Sequence, residues 1–204
     1  HTTNERTIGL GPTSENMDIE ATELQQLTAT GLTIGRSVNN KNIKVVGITA
    51  SSSNQITDVL TLLAAVDNSQ ITFEDAGSTF NTLSAQADDG VILEKDVTTD
   101  LASDNGAMYL DGDVEDATDA ANRVGLTDGR TLTASTLLTL QVQTGTIIPA
   151  GEMTLLAGSG IVILNDITTA VAGKPLVMNS DFDSPGNGTL TVWATRTVTS
   201  TNAH

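Results

Sequence analysis

The sequence predicts an all-β chain wound as a β-solenoid, and three observations carry that prediction. Short runs of Ile, Val, Leu and Thr alternate apolar and small polar residues. A block of about 70 residues recurs along the chain. Aromatic residues are limited to Phe73, Phe80, Tyr109, Phe182 and Trp193 in 204 positions.

Taken in order, strand-like alternation appears at Leu32-Thr33-Ile34, Ile43-Lys44-Val45-Val46, Ile71-Thr72-Phe73, Leu132-Thr133-Ala134 and Leu190-Thr191-Val192-Trp193. A period of two with β-branched residues is the mark of a half-buried strand. Thr, about one residue in six, belongs to the same vocabulary. Turn-forming clusters separate the runs: Asn39-Asn40-Lys41-Asn42, Asp104-Asn105-Gly106 and Pro185-Gly186-Asn187-Gly188. Two segments carry a helix-like pattern. Met17, Ile19, Leu24 and Leu27 give an imperfect helical face across 17–27. Asp58–Val66 fits either a helix or a buried strand.

The recurrence joins 82–134 to 152–200. Gly90-Val91-Ile92-Leu93-Glu94-Lys95-Asp96-Val97 aligns with Gly160-Ile161-Val162-Ile163-Leu164-Asn165-Asp166-Ile167. Asp113-Val114-Glu115-Asp116 aligns with Asp181-Phe182-Asp183-Ser184, and Arg130-Thr131-Leu132-Thr133-Ala134 with Arg196-Thr197-Val198-Thr199-Ser200. A repeat this long holds several strands, which suits a few coils of roughly 20–25 residues, each unable to bury its own apolar face. Scarce aromatics suit a narrow interior filled by stacked aliphatic side chains. Tandem β-sandwich domains are the alternative, although that architecture ordinarily uses a bulkier aromatic core. The whole of 1–204 is expected to form one segment, a slice of a longer repetitive chain.

Composition bounds the function. Nine Lys and Arg against 25 Asp and Glu leave a net charge of −16. That balance disfavours nucleic acid and anionic membrane surfaces as partners. No run approaches the roughly 18 apolar residues of a membrane span. Cysteine is absent, so neither disulfides nor thiolate chemistry is available. The only histidines are His1 and His204, which leaves the serines without an internal base. Five arginines and five aromatics are few for a sugar-cleaving cleft, so the chain is not expected to be an enzyme.

The block Glu23-Leu24-Gln25-Gln26-Leu27-Thr28-Ala29-Thr30-Gly31-Leu32-Thr33-Ile34-Gly35 resembles the tandem repeats of filamentous-haemagglutinin-like and autotransporter-like surface proteins. So does the later order: Phe80-Asn81-Thr82-Leu83, Ala87-Asp88-Asp89-Gly90-Val91, Leu110-Asp111-Gly112-Asp113, Asp128-Gly129-Arg130-Thr131 and Lys174-Pro175-Leu176-Val177. The resemblance implies a right-handed parallel β-helix on a large secreted protein. It further implies an extracellular, cell-surface structural role in a filament or adhesin. A Ca²⁺-dependent or glycan-binding adhesin module is the alternative function.

Eleven carboxylates fall between Asp88 and Asp119, with Lys95 the one base among them. Within this run, Asp111, Asp113, Glu115, Asp116 and Asp119 space oxygens around Gly112, and hard Ca²⁺ takes six to eight oxygens. Asn179, Asp181, Asp183 and Asn187 repeat the alternation in the second copy. Both loops equally fit turns whose Asx side chains cap their own backbone. No cofactor is required; Ca²⁺ is the one candidate. Asn187-Gly188-Thr189 has the form of a glycosylation acceptor. Trp193 is expected to cover the flank of the core. Arg130 and Arg196 are expected to pair with neighbouring acidic turns. Arg36, Lys41 and Lys44 concentrate positive charge early in the chain, which would favour head-to-tail self-association with the acidic middle.

Overall fold

The computed structural model describes residues 5–100, 105–119, 121–169, 171–183 and 186–200. His1, His204, Asp104, Ser184 and Pro185, used in the sequence reading, lie outside them. The chain begins with β1 (Arg6–Leu10), β2 (Met17–Ile19), the short helix α1 (Ala21–Leu24), β3 (Leu32–Arg36), β4 (Asn40–Val46) and the short helix α2 (Ala50–Ser53). It then runs in triplets. These are β5 (Val59–Ala64), β6 (Ile71–Glu74), β7 (Ser78–Phe80); β8 (Thr82–Ala87), β9 (Val91–Leu93), β10 (Val97–Thr99); and β11 (Met108–Asp111), β12 (Arg123–Leu126), β13 (Arg130–Ala134). Next come β14 (Leu137–Gln141), β15 (Thr146–Pro149), β16 (Met153–Ala157); β17 (Gly160–Ile163), β18 (Ile167–Thr168), β19 (Leu176–Asn179); and finally β20 (Thr189–Val192) and β21 (Val198–Thr199).

Each triplet visits three sheets in the same rotation. Sheet I has the order β3-β5-β8-β11-β14-β17-β20, sheet II the order β2-β1-β4-β6-β9-β12-β15-β18-β21, and sheet III the order β7-β10-β13-β16-β19. Every described strand pair is parallel. A sandwich would use antiparallel ladders, so the tandem-sandwich alternative does not describe this chain.

In-register stacking turns the period-two pattern into ladders. In sheet II, Ile8, Ile43, Ile71, Val91, Val124, Ile147, Ile167 and Val198 follow one another. In sheet I, Leu32, Leu60, Leu83, Met108, Leu138, Ile161 and Leu190 do the same. The intervening residues Thr61, Ser84, Tyr109, Thr139, Val162 and Thr191 form the outer ladder of sheet I. The buried apolar side chains make one cluster. Phe73 and Phe80 meet edge to face inside it, 6.5 Å apart. Residue numbers rise by 20 to 35 from one rung of the sheet II ladder to the next. This is wider than the expected 20–25, because loops of unequal length sit between strands.

The two helix-like segments resolve differently. Met17–Ile19 is a strand, held by its register with Ile8, Gly9 and Leu10. Only Ala21–Leu24 is helical; Glu20 N–H donates to Glu23 Oε2 at its start and Leu24 is buried. Val59–Ala64 is a strand buried at alternate positions. The sequence did not announce α2, which abuts β7: Thr49 Oγ1 accepts from Ser52 N–H, and Ser53 Oγ donates to the Thr79 carbonyl at 3.0 Å.

The aligned blocks of the recurrence do not share a face. β8, β9, β10 and β13 correspond to β16, β17, β18 and β21, a displacement of eight strands. Eight is not a multiple of three, so β9 lies in sheet II and β17 in sheet I. Their corner chemistry is nevertheless conserved between the two copies. Asp96 Oδ1 accepts from Thr131 N–H at 2.9 Å beside Arg130, and Asp166 Oδ1 accepts from Thr197 N–H at 2.7 Å beside Arg196. The two arginines thus pair with acidic turns as expected, each at 3.8 Å.

Candidate functional site

The connections from sheet I to sheet II stack into one corner running the length of the molecule. After the short β3–β4 connection, its rungs, counted from β5, are the loops after β5, β8, β11, β14, β17 and β20. Backbone bonds tie them together: Asp88 N–H donates to the Ala64 carbonyl at 2.9 Å, Asp89 N–H to Ser69 at 2.8 Å, and Val114 N–H to Ala87 at 3.0 Å. Gly90 closes the second rung at φ +126°, a conformation L side chains rarely adopt, with the Arg123 carbonyl 3.0 Å from where a Cβ would stand.

Carboxylates converge on three of these rungs. Oxygens of Asp88, Asp89 and Asp119 all lie within 4.8 Å of one another. Asp88 is fully buried and Asp89 is 8% exposed. One Asp88 oxygen accepts from Asn68 N–H at 2.7 Å. The other, together with Asp89 Oδ1, is buried with no hydrogen-bond partner among the described residues. Like charges at such spacing repel by about 3 kcal/mol per pair at an effective dielectric of 20. The protonation energetics follow. Burial, then Asp88, Asp119 and Asp67, push the Asp89 carboxyl upward, and Arg123 partly offsets them. Contact with the Asp88 carboxylate raises Glu115 to about 7.

The first expected loop is therefore divided. Asp119 and Glu115 turn toward Asp88 and Asp89. Asp111 and Asp113 are buried in a hydrogen-bonded network. Asp111 Oδ2 accepts from Tyr109 Oη at 2.9 Å, and its other oxygen accepts from Asp113 N–H at 3.1 Å. Asp113 Oδ2 accepts from the N–H and Oγ1 of Thr144, at 2.6 and 2.7 Å. These bonds staple the loop to the next rung. Burial raises the Asp111 carboxyl, against the Tyr109 hydrogen bond, and desolvation also raises the Tyr109 phenol. Asp116 is exposed, with φ +59°.

The second expected loop caps itself. Asn179 Oδ1 accepts from Asp181 N–H at 3.1 Å, and the Asp181 carboxylate accepts from Gly186 N–H at 3.0 Å. Asp183 and Asn187 are exposed. The Asx-turn reading accounts for these contacts. The site residues that sequence reasoning missed are Asp88 and Asp89. They were visible as a pair at a strand end but were not joined to Asp119, because the join needs the β8–β11 register.

Farther along the same corner, Gln141, Gln143, Leu164, Trp193 and Arg196 line a groove of about 420 Å³. Trp193 is 59% exposed there and does not cover the core as expected. Among the described residues, the strand it follows is the outermost of sheet I. Early in the chain, Lys44 pairs with Glu74 at 3.0 Å and Glu15 at 3.4 Å, and Lys41 with Glu5 at 3.7 Å. Much of the positive charge expected to steer self-association is engaged locally. Among the described residues no helix is long and apolar enough to cross a membrane.

Compared with known proteins, the chain matches no family model, no curated protein and no solved structure. The likeness to filamentous-haemagglutinin-like repeats rests on the sequence blocks quoted above.

Proposed function

We propose that the chain is an extracellular structural segment, a right-handed parallel β-helix that forms or decorates a surface filament or adhesin. The supporting observation is the set of inward aliphatic ladders, carried by parallel strands to an end where the pattern stays open. Leu190 continues the ladder of Leu138 and Ile161 yet is 47% exposed, and Val192, in register with buried Ile163, is also exposed. Those ladder positions accept another rung, supplied by the same chain or by a second copy. At about 4.8 Å per strand, the nine strands of sheet II span about 4 nm. The acidic surface keeps such rods soluble.

Small-angle scattering and electron microscopy of the purified chain test the reading. An elongated particle that associates end to end as concentration rises supports it. A compact monomer at every concentration refutes it.

The Trp193 groove favours a second reading, a glycan-binding adhesin module. An exposed indole offers a stacking face, and Gln141, Gln143 and Arg196 supply polar contacts around it. A glycan array with Trp193→Ala as control decides it: retained binding in the variant would exclude this groove.

A further inference from the structure

We infer that the corner formed by Asp88, Asp89 and Asp119 is a binding site for a hard divalent cation of the size of Ca²⁺. Two independent observations meet there. Three carboxylates from two successive rungs bring oxygens within 4.8 Å of one another. Asp88 and Asp89 are each more than nine-tenths buried, and each has an oxygen without a hydrogen-bond partner among the described residues. Buried polar atoms are ordinarily satisfied, so orphaned oxygens beside a third carboxylate call for a positive ligand.

The donor chemistry selects the class of ion. All the side-chain donors are carboxylate oxygens, which suit hard cations and disfavour thiophilic or imidazole-seeking metals. Glu115 touches Asp88 from the third rung, and Asp67 is the charge contributed by the first. Such a set, spread over loops of unequal length, fits the irregular six-to-eight-fold shell of Ca²⁺ better than the strict octahedron of Mg²⁺. The loop after β11 is the longest of the described connections from sheet I to sheet II, and an ion would fasten it to the rung below. The site does not depend on filament formation, since a discrete monomer holds the same residues.

The test uses the whole chain, stripped with chelator and titrated with CaCl₂ by calorimetry, with thermal melting alongside. One saturable Ca²⁺ per chain is expected, with a dissociation constant in the ~10⁻⁴–10⁻³ M range of extracellular modules and a calcium-dependent rise in Tm. Asp89→Asn and Asp119→Asn should each weaken binding at least tenfold. Both should also raise the Tm of the metal-free protein, because they remove repulsion. Asp183→Asn, in the self-capping loop, should bind as the unaltered chain does. No heat and no Tm rise at millimolar Ca²⁺ would overturn the inference. So would an undiminished calcium response in both Asp89→Asn and Asp119→Asn. A purely structural corner gives the metal-free stabilisation without any calcium response.

Discussion

Ile147 and Ile148 are neighbours on β15, identical in chemistry and opposite in fate. Ile147 is fully buried in the sheet II ladder between Val124 and Ile167, whereas Ile148 is 39% exposed on the outer face. Ile147→Ala removes three buried carbons, about 2.4 kcal/mol of transfer free energy at ~0.8 per methylene. A residual cavity of ~50 Å³ adds about 1 kcal/mol at ~24 cal/mol per Å³. The expected loss of about 3–4 kcal/mol lowers Tm by about 6–15 °C, at ~2–4 °C per kcal/mol for a chain of this size. Ile148→Ala should stay within about 0.5 kcal/mol, as surface changes do. Urea denaturation followed by circular dichroism, fitted for midpoint and slope, compares the two. Equal losses, or a larger loss at Ile148, would refute the assigned register, because a slip of one residue exchanges the two faces.

Three further outcomes are expected. Buried Asn40 accepts from Arg36 N–H and donates to the Leu63 carbonyl; Asn40→Ala orphans both groups and should cost about 2–6 kcal/mol at ~1–3 each, whereas a loss under about 1 kcal/mol would show that neither bond contributes. Gly129→Ala meets no atoms within 4 Å and should cost about 1–2 kcal/mol for its positive φ alone, so Gly90→Ala, which also crowds the Arg123 carbonyl, should melt lower than Gly129→Ala in the same scan. Lys174 holds the Asp128 carboxyl below its usual range, and the Thr197 N–H does the same for Asp166. With folded values below unfolded ones, their stabilising contribution is present above the ordinary Asp pKa near ~3.9 and fades as pH falls through the folded values. The pair Asp128→Asn and Asp166→Asn should therefore flatten Tm against pH below about 4, and an unchanged slope would deny the linkage.

Much of this architecture was legible because it is local. Alternation at Ile43–Val46, Ile71–Phe73 and Leu132–Ala134 falls on β4, β6 and β13, and the Arg130 and Arg196 pairings follow from the same recurring turn. What was not legible depends on stacking. The sequence groups Asp111 and Asp113 with Glu115, Asp116 and Asp119 in one loop, but Tyr109 engages one Asp111 oxygen and Thr144, 31 residues beyond Asp113, engages Asp113 Oδ2, while Asp113 Oδ1 is buried with no hydrogen-bond partner among the described residues. Asp89 meets Asp119 only once β8 and β11 are paired. Unequal loops hide the coil period that would have announced such pairings. Trp193 was expected to cover the flank of the core near the last strand, yet it is 59% exposed beside the outermost described strand of its sheet.

The eight-strand displacement between similar blocks has a consequence for how such a chain grows. A sequence copied and joined at those blocks re-enters two places on in the three-sheet rotation, as β17 in sheet I does relative to β9 in sheet II. Three such displacements are needed to return a given surface residue to its original sheet. The interior tolerates this, since every side offers a strand the same aliphatic seat. Identity is carried by the corners, and lengthening by duplication distributes each corner's chemistry among the three sheets instead of along one of them.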